Sequence, residues 1–172
     1  MFGLIYPFLV LAVVGFLAAL GVHLAALFGV TYAFQHSLDL LFFTLVVVWV
    51  ATIFASHRLT RESQQKDFWR AALRGCPKWL RTTLWILLGY TWVGFLAWTW
   101  LFGGGADAPA NAARGMSGML LGFYGIAACV LYSATRAGKF DETRRCLNGH
   151  QISPLAKYCE ECGAPAQIQS TA

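Results

Sequence analysis

The first 38 residues contain no Asp, Glu, Lys or Arg. Within them, the stretch from Leu4 to about Phe28 is almost wholly apolar. Crossing a hydrocarbon core of about 30 Å takes roughly 20 helical residues, so this stretch is long enough for one span. Lipid offers no hydrogen bonds to a bare backbone. A segment this apolar must therefore satisfy its own amides, and a helix does so. Pro7 stands near the start, where its missing N–H is tolerated. The run is too long for the h-region of a secretory signal, about 7–15 residues, and no basic n-region precedes it.

The pattern repeats. Leu40 to about Ala55, Leu84 to about Phe102 and Gly118 to about Ser133 are three further apolar runs between polar segments. Charged residues make up only 12% of the 172, against about 25% in soluble domains. The expected fold over residues 1–135 is therefore an all-α polytopic membrane protein with four transmembrane helices, at about 4–28, 40–55, 84–102 and 118–133.

Each span carries its own signal. In the first, Gly15, Ala19, Ala25 and Gly29 allow close helix approach. Apart from Tyr6, His23 is its only ionisable side chain. It is either a proton or metal relay, or a neutral group bonded to a neighbouring helix. His36 follows in the polar connection 31–39, with no defined geometry relative to His23. Ser37 or Asp39 there offers a cap for the second helix. The third span carries Trp85, Tyr90, Trp92, Trp98 and Trp100, an aromatic-belt composition. Residues 103–117 read as a flexible Gly/Ala-rich loop, without the Gly-Lys-Ser/Thr that closes a phosphate loop. Along the fourth span Gly115, Gly118, Gly122, Gly125 and Cys129 recur at alternating three and four. This small-residue face suits packing within the bundle, or self-association through Gly118, Gly122 and Gly125.

Charge gives the orientation. Seven of the thirteen Lys and Arg lie in 57–81 and five in 136–157. The first connection has none and the third has only Arg114. The positive-inside bias then places both termini in the cytoplasm, as in a bacterial inner membrane. Aromatics interleave the cations of 57–83, and Thr60 to Arg74 predicts an amphipathic helix at the bilayer surface, stopped by Gly75-Cys76-Pro77. Basic and aromatic residues together also suit nucleic acid, but the flanking spans make lipid headgroups the expected partner. Cys76 reads as structural.

The C-terminal part carries different chemistry. Cys146-Leu-Asn-Gly-His150 is followed by Cys159-Glu-Glu-Cys162-Gly163, four metal-ligand side chains within 17 residues. Ligand pairs at short spacing, separated by a hairpin-sized gap, can converge on one tetrahedral ion. Zinc accepts three thiolates and one imidazole, so Cys146, His150, Cys159 and Cys162 are the expected Zn2+ ligands. A reduced compartment suits such thiols.

The stretch RRCLNGHQISPLAKYCEECGAP resembles the short zinc ribbons at the ends of many bacterial proteins, with His150 where a fourth cysteine is more usual. The resemblance covers residues 144–165. It implies two zinc knuckles on a short β-hairpin, with a turn at Ser153-Pro154. A linker over 136–143 and a disordered tail over 166–172 flank it. The preceding part, with QQKDFWRAALRGCPKWLR, is similar to uncharacterised bacterial four-span membrane proteins. About 20 residues bury too little to fold alone, so the zinc is expected to be structural. Four protein ligands leave no position for an activated water. No acid pair, Ser-His-Asp order or phosphate loop is visible, and no enzyme is expected. The leading expectation is a membrane-anchored interaction or scaffold protein with a protein partner at the ribbon. The alternatives are a small transporter or channel subunit, or a metal- or redox-responsive sensor.

Overall fold

A 28-residue helix, Ala108–Thr135, forms the centre of the bundle in the computed structural model. The structure describes residues 5–30, 35–60, 67–101, 108–136, 144–146, 148–152, 158–159 and 161–165. In chain order the elements are α1 (Ile5–Leu27), α2 (Gln35–Thr60), α3 (Phe68–Ala72), α4 (Lys78–Leu96), a π-helical turn (Ala97–Leu101), α5 (Ala108–Thr135), β1 (Arg144–Arg145) and β2 (Gln151–Ile152). Two thirds (67%) of the most apolar window of α5 is buried, against 28% for α1 and for α2. The outer helices therefore leave most of their apolar surface facing outward, as a lipid-immersed bundle requires.

Among the described residues, three helices are long and apolar enough to cross a membrane: Ile5–Leu27, Ser37–Thr60 and Ala110–Thr135. The remaining long helix, α4, has 19 residues and opens with Lys78 and Arg81. Its tryptophans, Tyr90, threonines and two basic residues keep it outside that set.

Close approach explains the glycines of α5. A Cβ at Gly118 would lie 3.3 Å from Cε1 of His23 on α1, and one at Gly122 would lie 2.8 Å from Oγ1 of Thr91 on α4. A Cβ at Gly125 would lie 3.0 Å from Leu87. The small-residue face is thus taken up by α1 and α4 of the same chain, and self-association through it would have to displace them. A complementary contact lies on α1, where a Cβ at Gly15 would collide with the ring of Tyr124. The Tyr124 hydroxyl in turn donates to the Leu41 carbonyl at 2.7 Å and meets the Thr44 hydroxyl at 2.6 Å, tying α5 to α2.

Several boundaries differ from the expectation. The predicted loop over 103–117 is helical from Ala108. Alanines favour the helix, Pro109 sits in the first turn where it is tolerated, and Gly115 is buried rather than left to water. Helix α2 begins at Gln35, so Ser37 and Asp39 lie inside its first turns instead of capping it. It continues to Thr60, because helix ends persist beyond the apolar window into the interface.

Of the amphipathic helix predicted from Thr60 to Arg74, Thr60 ends α2 and Phe68–Ala72 form the short α3, while 61–66 lie outside the described residues. Ala71, Ala72 and Leu73 are buried against the bundle, while Trp69 and Arg70 are exposed. The stop at Gly75-Cys76-Pro77 is docked on α5. The Gly75 N–H donates to Ser133 Oγ at 2.9 Å, and the Cys76 thiol donates to the Cys129 carbonyl at 3.2 Å. The linker beyond Arg136 and the tail 166–172 lie outside the described residues.

Candidate metal centre

Cys146, His150, Cys159 and Cys162 come together as the sequence predicts. Their ligand atoms all lie within 4.8 Å of one another, and the group could hold a metal ion. Sγ of Cys146 is 3.6 Å from Sγ of Cys162, and Sγ of Cys159 is 3.7 Å from Nδ1 of His150. Cys146 and Cys159 are buried, His150 is half-buried and Cys162 is exposed.

Two backbone turns of the same design hold these ligands. In the first, the Gly149 N–H donates to the Cys146 carbonyl at 2.9 Å, and the Cys146 N–H donates to the His150 carbonyl at 3.0 Å. In the second, the Gly163 N–H donates to the Cys159 carbonyl at 2.9 Å, and the Cys159 N–H donates to the Ala164 carbonyl at 2.8 Å. Gly149 and Gly163 have φ of 83° and 69°, the left-handed region that glycine enters without steric cost. Each turn thus curls the backbone around a cysteine and presents its thiol inward.

Short antiparallel pairings close both turns. Arg144 pairs with Ile152 and Arg145 with Gln151 around the first, and Tyr158 bridges Pro165 around the second. Ser153-Pro154, the predicted turn between them, lies outside the described residues. Among the described residues the buried ones here are Cys146, Ile152 and Cys159, with Ala164 against them. A segment of about 20 residues buries too little to offset the entropy of ordering it. Glu161 approaches His150 Nδ1 at 3.5 Å, but its side chain is 70% exposed and such a pair contributes little.

The second polar cluster lies inside the bundle, around His23. The Ser117 hydroxyl donates to the Arg114 carbonyl at 3.1 Å. Nδ1 of His23 lies 2.9 Å from the Ser117 hydroxyl oxygen and Nε2 lies 2.8 Å from the Tyr90 hydroxyl. The imidazole thus cross-links α1, α4 and α5, with both nitrogens engaged. His36, in the first turn of α2, has no described side chain.

Arg114 was expected in a loop. It lies on α5, donates from Nε to the Ala26 carbonyl at 3.0 Å and from Nη1 to Asn111 Oδ1 at 2.9 Å, and stacks 5.0 Å over the Trp98 ring. Sequence reasoning missed Tyr90 and Ser117 as partners of His23, because nothing in their spacing pairs residues on three different helices.

Comparison with known proteins gives no matching family model, no matching curated protein and no matching solved structure. The functional reading therefore rests on the residues themselves.

Proposed function

We propose that the protein is a four-span integral membrane protein with a structural zinc ribbon on its cytoplasmic side, acting as a membrane-anchored interaction or scaffold protein. The observation that carries this reading is the closed set of four ligand atoms within 4.8 Å, at the end of a chain whose long helices are membrane-like. Four donors on a tetrahedron with zinc bonds of about 2.0–2.3 Å stand roughly 3.3–3.8 Å apart. The 3.6 Å and 3.7 Å separations at Cys146–Cys162 and Cys159–His150 fall in that range, and the whole set lies within 4.8 Å. Three thiolates and an imidazole favour zinc over harder ions.

The ion's role follows from the module's size. Structural zinc contributes roughly 10–16 kcal/mol to small fingers, enough to fold a segment this short. Four protein ligands leave no coordination position for a reacting water, which supports a scaffold role over catalysis.

As the fourth span the reading takes α4 together with its π-helical turn, Lys78–Leu101. It lies against Gly122 and Gly125 of α5, and its tryptophans suit both interfaces. Four crossings put both chain ends on one side. The positive-inside bias makes that side the cytoplasm, because the connections 28–34 and 102–107 contain no Lys or Arg while 57–81 contains seven. The reducing cytoplasm keeps three ligand thiols available to the metal. A transport pathway is less well supported, since both nitrogens of the intramembrane His23 are spent on holding helices together.

The test compares the full-length chain with its Cys159→Ser variant in native membranes, by crosslinking and purification. The reading expects one zinc per wild-type chain and a partner captured only by the zinc-loaded form. An identical set of partners with and without zinc, from equally membrane-integrated protein, overturns it.

A further inference from the structure

Two buried thiols meet where the turn between α3 and α4 docks on α5. Cys76 and Cys129 are both free, 4% and 5% exposed, and stand 53 positions apart in the chain. The Cys76 thiol lies 3.2 Å from the Cys129 carbonyl oxygen, and the Cys129 side chain is also a hydrogen-bond partner of the Cys76 sulfur. The two backbones touch beside them. A Cβ at Gly75 would lie 2.8 Å from the Cα of Ser133. Gly75 adjoins Cys76, and Ser133 lies one turn beyond Cys129 on the same face of α5. A disulfide requires Cα atoms within about 7 Å, a separation that helix and turn reach only where their backbones come this close.

We infer that Cys76 and Cys129 form an oxidative modification site, a thiol pair that hydrogen peroxide converts to a disulfide tying the start of α4 to the last two turns of α5. The inference needs neither the metal nor a partner at the ribbon. Cys76 is the attacking thiol. Hydrogen bonding from the Cys129 side chain holds it below the ordinary cysteine range; burial opposes this, and the charges of Arg81 and Arg136 assist it. The Cys76 thiolate attacks one oxygen of the peroxide. The O–O bond breaks, and the departing hydroxide takes up the proton that the thiol gave, leaving water and a Cys76 sulfenic acid. The Cys129 sulfur then attacks the sulfenic sulfur. The S–S bond forms, the S–O bond breaks, and hydroxide leaves as water with the Cys129 proton. The two thiols together lose two electrons and the peroxide gains them. Burial of both sulfurs favours an oxidant little larger than water over a bulky disulfide. A thiol reductant reverses the bond.

The experiment is peptide mapping of the full-length protein after treatment with hydrogen peroxide, digested with trypsin without reduction. The tryptic peptides 75–78 and 115–136 each hold one cysteine, so the ribbon cysteines are read separately. The wild type is expected to yield these two peptides joined, and a reductant is expected to part them. Cys129→Ala is expected to lose the joined product and leave Cys76 as a sulfenic acid that dimedone captures. Cys76→Ser is expected to leave Cys129 unoxidised. Both peptides staying reduced in peroxide-treated wild type overturns the proposal, as does Cys76 joined to a ribbon cysteine or to a second chain. Oxidation of Cys129 as fast in Cys76→Ser as in wild type overturns the role of Cys76 as the attacking thiol. The wild-type map decides the pairing even where a variant fails to fold.

Discussion

His23 and Ser117 are 94 positions apart in the chain and 2.9 Å apart across the α1–α5 interface. Ser117 is 0% exposed and His23 4%. Gly118, next along α5, leaves the room that the imidazole occupies. Tyr90 completes the link from α4. Replacing His23 with Ala therefore removes two interhelical hydrogen bonds and leaves a gap at the meeting point of three helices. Such bonds in membranes average about 0.6 kcal/mol and reach about 1.7. The expected loss is about 1–3 kcal/mol once the gap is included, with Tyr90→Phe costing less because it removes one bond and little volume. Thermal unfolding in detergent measures both. A His23→Ala protein as stable as wild type would show that the cross-link contributes nothing.

Gly15 offers a sharper steric test. A methyl there would strike the ring of Tyr124, which is itself held by its hydroxyl on Leu41 and Thr44. The ring cannot swing away without breaking those bonds. Gly15→Ala is expected to destabilise by about 1–3 kcal/mol, the usual range for overpacking. Gly21, on the same helix, has nothing within 4 Å of its Cβ position. Gly21→Ala is the matched control, expected to be neutral or slightly stabilising through helix propensity. Equal effects at the two positions would show that α1 does not pack on Tyr124 as described.

The contrast between these glycines marks what the sequence could convey. Apolar length and charge bias made the membrane-like helices legible, because lipid imposes a one-dimensional rule on each span. The Cys146, His150, Cys159 and Cys162 cluster was legible because its spacing and two turn glycines encode a local geometry. Helix α5 was cut short in the sequence reading. Ala108 to Ser117 resembles a loop in its Gly, Pro and polar residues, yet its alanines favour helix and Asn111, Gly115 and Ser117 are buried. Tyr90, Ser117 and Arg114 were invisible as partners because their meeting is set by interhelical register. Which side of the 68–73 segment docks, through Ala71, Ala72 and Leu73, was likewise set by the bundle and not by local spacing.

Thiol labelling separates the cysteines by environment. Cys76 is 4% exposed and its thiol is bonded to the Cys129 carbonyl, and Cys129 is 5% exposed. Neither is expected to react with a bulky maleimide in the folded protein. Cys146, Cys159 and Cys162 are expected to be protected while metal is bound. A strong chelator should therefore expose three new labelling sites and no more. Rapid labelling of Cys146, Cys159 and Cys162 before chelation would mean that the cluster holds no metal under those conditions. Labelling of Cys76 in the folded state would mean that the turn at Gly75 does not stay docked on Ser133.

His150 separates metal binding from incidental surface pairing. It approaches two groups, Cys159 Sγ at 3.7 Å and Glu161 Oε2 at 3.5 Å. If its Nδ1 is a metal ligand, His150→Ala opens a coordination position and weakens retention of the ion. His150→Cys restores a fourth thiolate and retains it. Glu161→Gln should leave metal content unchanged, because that side chain is 70% exposed and stands outside the four-donor set. Acidification provides an independent check. Thiolates and imidazole bind metal only when deprotonated, so the ion is released as pH falls, and it should be lost at higher pH from His150→Ala than from wild type. Metal content of the purified full-length protein, measured per chain across a pH series, reads all four outcomes. Metal retention in His150→Ala equal to wild type at every pH would remove His150 from the ligand set and leave a three-cysteine site.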